Sequence, residues 1–335
     1  MTNAQSALGD TRGSPPEPNF TGADQGARYR SLLRRLYGWV AEQPRLRKAV
    51  LTTPGLRQLA WRFVAGEDLD AGVRVVQSLQ EYGILASLNF VGTHVHDRDE
   101  AHTAADSAVE ALSRIHDERL AASLSVKPTQ LGLDIDEDLC RMHLRRLVEK
   151  AARAGLFVRI DMEERAYVEA TLRLFEELRD EFGVDTVGIV IQSYLRDREG
   201  DLERLIDTGS SVRLTKGGYW EPEVAYTNKA DIDRRFERDL RLLLENGRSP
   251  AIATHDEHFI GLARTLADEG GLDPSEFEFQ MLYGVRTDLQ RKLASEGYRV
   301  RCYVPYGGQW LTYFLGCVRR LPNGFLRRLR GQARR

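Results

Sequence analysis

From Ile84 onward the chain alternates between short apolar runs and longer amphipathic stretches. The runs are ILASLNF (Ile84 to Phe90), LAASLSV (Leu120 to Val126), LFVRID (Leu156 to Asp161), TVGIVIQ (Thr186 to Gln192), SVRL (Ser211 to Leu214), PAIAT (Pro250 to Thr254), FEFQML (Phe277 to Leu282) and YRVRCYV (Tyr298 to Val304). Each has the length and apolar character of a buried strand. Between them, segments such as DEDLCRMHLRRLVEKAARAG, EATLRLFEELRDEFG, ADIDRRFERDLRLLLENG and RTDLQRKLASEG predict helices. These helices end at Gly or Asn-Gly, where a positive φ is expected to form the cap. Eight strands alternating with helices predict an α/β fold, a (β/α)8 TIM barrel in preference to an open doubly wound sheet. The stretch GGYWEP follows a strand but lacks the GxGxxG spacing of a dinucleotide-binding turn.

Ahead of the first strand, YRSLLRRLYGWVAEQPRLRKAV and PGLRQLAWRFVAGE predict extra N-terminal helices. The first residues are rich in Gly, Pro, Ser and Asp and have no apolar centre, which suggests a disordered leader and not a signal peptide. The expected organisation is a leader over 1–27, helices over 28–83, the barrel over 84–322 and a basic tail over 323–335 containing LRRLRGQARR. A net charge of -2 over 335 residues excludes the strong basicity of a typical nucleic-acid binder. No apolar run is long enough for a transmembrane segment, and Cys140, Cys302 and Cys317 are too scattered for a disulfide framework or a CxxC clamp. A cytoplasmic protein is expected, and the tail leaves contact with a membrane surface open.

In a barrel, chemistry gathers where strands end at the C-terminal rim. Those positions are polar here: Lys127, Asp161, Gln192 with Tyr194, Arg213 with Lys216, Thr254 and His255, Gln280 with Tyr283, and Tyr303. Taken singly, such residues cap helices or face water; together they suit a phosphate-bearing cofactor and a small charged substrate. The pairs His94/His96 and His255/His258 raise a zinc centre as the alternative. They follow strands that are not neighbours and lack the i, i+4 spacing, so no metal is expected.

The motifs SVKPTQLGLDID, VRIDMEE, VGIVIQSYL, VRLTKGGYWEPEVAYTNKADID, ATHDE and FEFQMLYGVRTDLQRKLASEGYRVRCYVPYGGQW, in this order, resemble the monofunctional proline dehydrogenase family. The resemblance runs from Trp61 to Pro322. It implies a distorted barrel that binds FAD and oxidises L-proline to 1-pyrroline-5-carboxylate, with electrons often passed to a membrane quinone. Matched residue by residue, Asp161 and Arg213 fall on active-site positions and Lys127 on the lysine beside the substrate. Tyr194 and Tyr303 fall on the enclosing aromatic residues. Met162, Gln192, Lys216, Gly217, Gly218, Thr254 and His255 fall on FAD-holding positions, and Arg213 and Gln280 are counted with them.

One departure concerns the last helix. The family has two consecutive arginines, three and four residues after the tyrosine matching Tyr313, that grip the substrate carboxylate; Gly316 and Cys317 stand there in this chain. Arg319 and Arg320 follow roughly 4.5 Å further along a helix axis. Thr93 and Pro128 replace a usual Glu and Leu. Cys317 is taken as a small apolar residue in preference to a redox thiol. Proline with Arg319 or Arg320 on its carboxylate is the first expected substrate. A hydrazine-like or carboxylate-masked amine is the alternative, and a flavin-binding partner protein without catalysis is the other.

Overall fold

The computed structural model describes Lys48 and residues 52–92 and 95–320, excepting the side chains of residues 54, 56 and 316–320. The expected leader, the expected first helix apart from Lys48, Thr93, His94, Pro322 and the basic tail lie outside the described residues. So do the side chains of Gly316, Cys317, Arg319 and Arg320.

Two helices, α1 (Pro54–Trp61) and α2 (Leu69–Gln80), precede β1 (Leu85–Phe90). The chain continues through α3 (Arg98–Asp117), β2 (Ala122–Val126), α4 (Glu137–Ala154), β3 (Val158–Ile160), α5 (Val168–Phe182) and β4 (Val187–Gln192). Then come α6 (Asp201–Asp207), β5 (Ser211–Thr215), α7 (Lys229–Asn246), β6 (Arg248–Ala253), α8 (Glu257–Gly270), β7 (Glu278–Leu282), α9 (Thr287–Ser295), β8 (Arg299–Tyr306) and α10 (Trp310–Arg320). All eight strands pair in parallel in chain order, and β8 returns to β1 to close the barrel. Side-chain caps start the helices: Asp68, Asp97, Asp136, Asn228 and Asp256 each accept from a backbone N–H of the first turn.

The expected glycine caps hold at Gly155 and Gly183, with φ of 64° and 88°. Gly247 is a correction: its φ of -84° and ψ of 154° are extended. A Cβ at Gly247 would stand 2.4 Å from the Leu243 carbonyl oxygen, so close packing on the end of α7 selects glycine there. The left-handed residue nearby is Ser249, the second residue of β6, with φ 46°.

Each strand turns alternate residues to the helices and to the lumen. The helix-facing set, including Leu88, Leu124, Ile160, Ile189, Leu214, Ile252, Phe279 and Val304, is buried in one continuous apolar core. Barrel lumens are ordinarily packed with branched apolar side chains. Here the lumen instead holds buried Ser87, Ser125, Arg159, Asp161, Arg213, Glu278 and Gln280.

A second apolar cluster joins Phe63 and Val64, just beyond α1, to Trp310, Leu311 and Phe314 of α10. The Trp61 and Trp310 rings lie 4.9 Å apart, and Trp310 Nε1 donates to Glu67 Oε1 at 2.7 Å. This contact anchors the last helix, which starts just past the C-terminal end of β8. Gly284 (φ 72°) lies so close to Arg62 that a Cβ would meet its carbonyl oxygen at 1.5 Å. Gly284→Ala is therefore expected to destabilise the fold by about 2 kcal/mol or more. Gly261→Ala, on the exposed face of α8 with no atom within 4 Å of the added carbon, is expected to stabilise it by up to about 1 kcal/mol. Urea midpoints should move in opposite directions; a shift in the same direction contradicts this packing.

Candidate active site

Asp161 is at the centre of the C-terminal end of the barrel. It directly follows β3 and is 4% exposed. Its Oδ2 accepts from Lys127 Nζ at 2.9 Å and from the Tyr303 hydroxyl at 2.8 Å, while its Oδ1 accepts from Arg213 Nη2. Four elements thus meet on one carboxylate: the ends of β2 and β3, the middle of β5 and the middle of β8. Burial alone would raise the Asp161 pKa, but the charges of Lys127 and Arg213 outweigh it and hold the group at about 2. Burial would lower the Lys127 pKa, and Asp161 reverses that, keeping the ammonium protonated well above its ordinary range. The Tyr303 phenol is raised by burial and by Asp161, so it stays a donor.

Three of the expected rim residues lie deeper. Strand β5 runs on past its apolar run to Thr215 and β8 to Tyr306, while β7 ends at Leu282 as its run predicts, which leaves Arg213, Gln280 and Tyr303 one layer inside the lumen. There Arg213 Nη1 also donates to Ser125 Oγ at 3.3 Å and to Gln280 Oε1 at 3.4 Å, and its guanidinium stands 5.4 Å from the Tyr303 ring centre. Gln280 Nε2 in turn donates to Glu278, whose carboxylate accepts two bonds from Arg301, at 2.8 and 3.0 Å. Gln280 therefore belongs to the lumen network beneath the mouth.

The remaining expected residues line a second arc. Gln192 Nε2 donates to the Met162 carbonyl at 3.3 Å, and its buried Oε1 has no partner among the described residues. A Cβ on Gly217 (φ 108°) would overlap the Tyr194 ring at 2.1 Å, so only glycine allows the loop after β5 to lie on that ring. Gly218 beside it is exposed. The Tyr194 hydroxyl donates to Glu221 Oε2 at 2.8 Å. Lys216 turns outward, to Asp233 at 2.6 Å and Asp256 at 3.3 Å. Thr254 Oγ1 accepts from the Asp256 N–H. His255 Nε2 accepts from the Leu282 N–H at 2.9 Å. With Nε2 fixed as acceptor, the neutral ring carries its proton on Nδ1.

Sequence patterns did not single out Glu221, Ser125 or Glu163. Glu221 lies in GGYWEP and ties three loops together, since its other oxygen accepts from Arg165 N at 3.0 Å. Glu163 accepts from Thr129 N and Thr129 Oγ1 at 2.9 and 2.8 Å, which fixes the turn that carries Lys127. A carboxylate two residues past a strand end was the available signal for Glu163, and the neighbouring Asp161 obscured it.

A family profile described as proline dehydrogenase matches residues 73–321. The chain belongs to the proline dehydrogenase family. It is 36% identical over 292 residues to proline dehydrogenase 1 of Bacillus subtilis (strain 168), an alignment covering 87% of this chain and 96% of that one. It is 38% identical over 296 residues to proline dehydrogenase of Deinococcus radiodurans, covering 87% and 95%. In structure it is similar to proline utilization A from Bdellovibrio bacteriovorus inactivated by N-propargylglycine, with TM-score 0.73 and 26% identity over 78% of this chain. The chain spans about a third of that larger protein, 32% of its length. The barrel is thus the fold of the family, and no helix among the described residues is long and apolar enough to cross a membrane.

Burial, and the nearby Arg286 charge, push His255 down from 6.5 to about 4. Between these values the unfolded chain takes up a proton that the folded one refuses, so stability falls as pH drops through that window. His255→Gln retains an acceptor for Leu282 and is expected to remove most of this loss, up to about 3 kcal/mol. Urea midpoints at pH 7 and pH 4.5 test it; a pH dependence equal to the parent's contradicts it.

Proposed function

We propose that this protein is an FAD-dependent dehydrogenase that oxidises the C–N bond of L-proline to 1-pyrroline-5-carboxylate. The observation that carries the proposal is the convergence of Lys127, Arg213 and Tyr303 on the buried Asp161 carboxylate. The names of the relatives supply the substrate class.

The residues around the mouth fit a flavin. The buried Gln192 Oε1 is an acceptor with no donor among the described residues, as a ring N–H requires. Gly217 and Gly218 leave exposed backbone in the loop after β5, and the Nδ1–H of His255 is a fixed donor. Met162, Gln192, Arg213, Lys216, Gly217, Gly218, Thr254 and His255 would hold the cofactor, with Gln280 supporting Arg213 from below. A bound FAD supplies the two-electron acceptor that takes hydride from the substrate carbon.

Forming the C=N bond removes hydride from carbon and a proton from nitrogen. With a pKa near 2, Asp161 is a poor base at neutral pH, and Lys127 stays protonated. The pair therefore acts as a preorganised field and orienting surface; the amine binds in its neutral form after its ammonium proton passes to water, and the protonated imine left by hydride loss gives its N–H proton to water in turn. Arg213 adds positive charge where negative charge accumulates during transfer. Tyr194 and Tyr303 wall the substrate, and Arg319 or Arg320 of α10 meets its carboxylate. Gly316 and Cys317 at the family's arginine positions favour, as a second reading, an amine whose carboxylate is masked. The electron acceptor is proposed to be a quinone reached from the cytoplasmic side of the membrane, with the basic tail at the lipid surface.

Asp161→Asn is expected to keep bound flavin and to lose kcat/KM by about 10²-fold or more, the scale of removing one preorganised electrostatic group. Loss below threefold contradicts the role. Anaerobic addition of L-proline should bleach the flavin faster than L-proline amide does; faster bleaching by the amide selects the masked-carboxylate substrate, and bleaching by no amine refutes catalysis.

A further inference from the structure

A polar cavity of about 190 Å³ opens at the N-terminal end of the barrel, opposite the Asp161 cluster. Its walls carry five arginines against three carboxylates, and Arg213 and Gln280 form its inner end. The carboxylates are already engaged. Glu278 accepts from Arg301 and Gln280, Asp185 pairs with Arg248 at 2.7 Å, and Glu276 accepts from Asp273 N at 2.7 Å.

Arg159 is the group left over. It is 5% exposed; among the described residues its guanidinium donates to the Ile189 and Ser211 carbonyls, at 3.1 and 2.6 Å, and to Ser211 Oγ at 3.1 Å, and it lies 4.7 Å over the Phe157 ring. No carboxylate lies within ion-pair reach of it among the described residues. Burial, followed by repulsion from Arg213, pushes its pKa down to about 9, as expected of a buried cation short of negative charge.

The fold makes room for this cation. Arg159 pairs in register with Gly188, and a Cβ on Gly188 would stand 2.3 Å from Arg159 Nη1. At the mouth, β6 slips against β5 between Ser211 and Arg213, where Ser249 takes its strained φ of 46°. Arg248 stands beside this irregularity and Arg299 starts β8; both are about half exposed and line the same opening.

We propose that this end of the barrel is a binding site for a small oxyanion of the size of inorganic phosphate, with Arg159 as its buried cation and Arg248 and Arg299 at its entrance. Guanidinium groups match oxyanions in geometry as well as charge. The volume is below the roughly 300–1,000 Å³ of cofactor-sized pockets, which selects an ion of few atoms over a nucleotide. The Ser87, Ser123 and Ser211 hydroxyls on the wall supply further donors. The ion would lie one layer below Arg213, on the far side from Asp161.

The test is titration of the flavin-saturated full chain with inorganic phosphate at constant ionic strength, read by calorimetry and by the melting temperature. Saturable binding is expected, with its dissociation constant raised tenfold or more in Arg159→Met and at least threefold in Arg248→Gln/Arg299→Gln. The double variant changes exposed side chains only, so it tests the site even where Arg159→Met fails to fold. Absence of saturable binding in the parent protein, or parent-like affinity in the variants that fold, overturns the proposal.

Discussion

A carboxylate cannot be buried in a protein unless its charge is met, and the C-terminal end of this barrel is built around meeting the charge of Asp161. Leaving such a group unpaired costs several kcal/mol. Lys127, Arg213 and Tyr303 remove that cost by bringing donors from three different strands onto its two oxygens. Each partner is itself restrained, Arg213 by Ser125 and Gln280 and the turn after Lys127 by Glu163. The positions of these groups are therefore set before any substrate arrives, which is the condition for electrostatic preorganisation.

The lumen can be this polar because the apolar burden lies elsewhere. The outward faces of the strands pack against the surrounding helices in one continuous core. Freed from packing duty, the inward faces carry arginines, carboxylates, amides and small hydroxyl residues. From Asp161 the bonds descend through Arg213 and branch there, one arm running to Ser125 and Ser87, the other to Gln280, Glu278 and Arg301. Arg159 stands apart from both, as a lumen arginine that donates to backbone and hydroxyl oxygens and lies over the Phe157 ring, with no carboxylate paired to it among the described residues.

Much of this was legible in the sequence. Eight apolar runs marked the strands to within a few residues, and the polar residues near their C-terminal ends named the members of the Asp161 cluster. Depth was not legible. Arg213 and Tyr303 lie inside the lumen because β5 and β8 extend past their apolar runs, and apolar periodicity does not register an added Thr or Pro at a strand end. The conformation of Gly247 was missed because glycine also marks close backbone approach, and only tertiary contact separates that from a positive φ. Glu221, Glu163 and the Arg159–Gly188 pairing were hidden for a related reason: their partners are remote or belong to the backbone, and no local pattern announces them.

The most direct measurement of the central claim is the titration of Asp161 itself in flavin-loaded protein. Carbon-13 NMR of protein labelled at the aspartate carboxyl carbons reads it, with the resonance assigned by its loss in Asp161→Asn. If Lys127 and Arg213 meet the buried charge as described, the Asp161 signal stays at its ionised position down to about pH 3, a full unit below the ordinary aspartate range. A midpoint at or above the ordinary aspartate value of about 3.9 would mean that these cations do not hold it, and the electrostatic account of the site would fail.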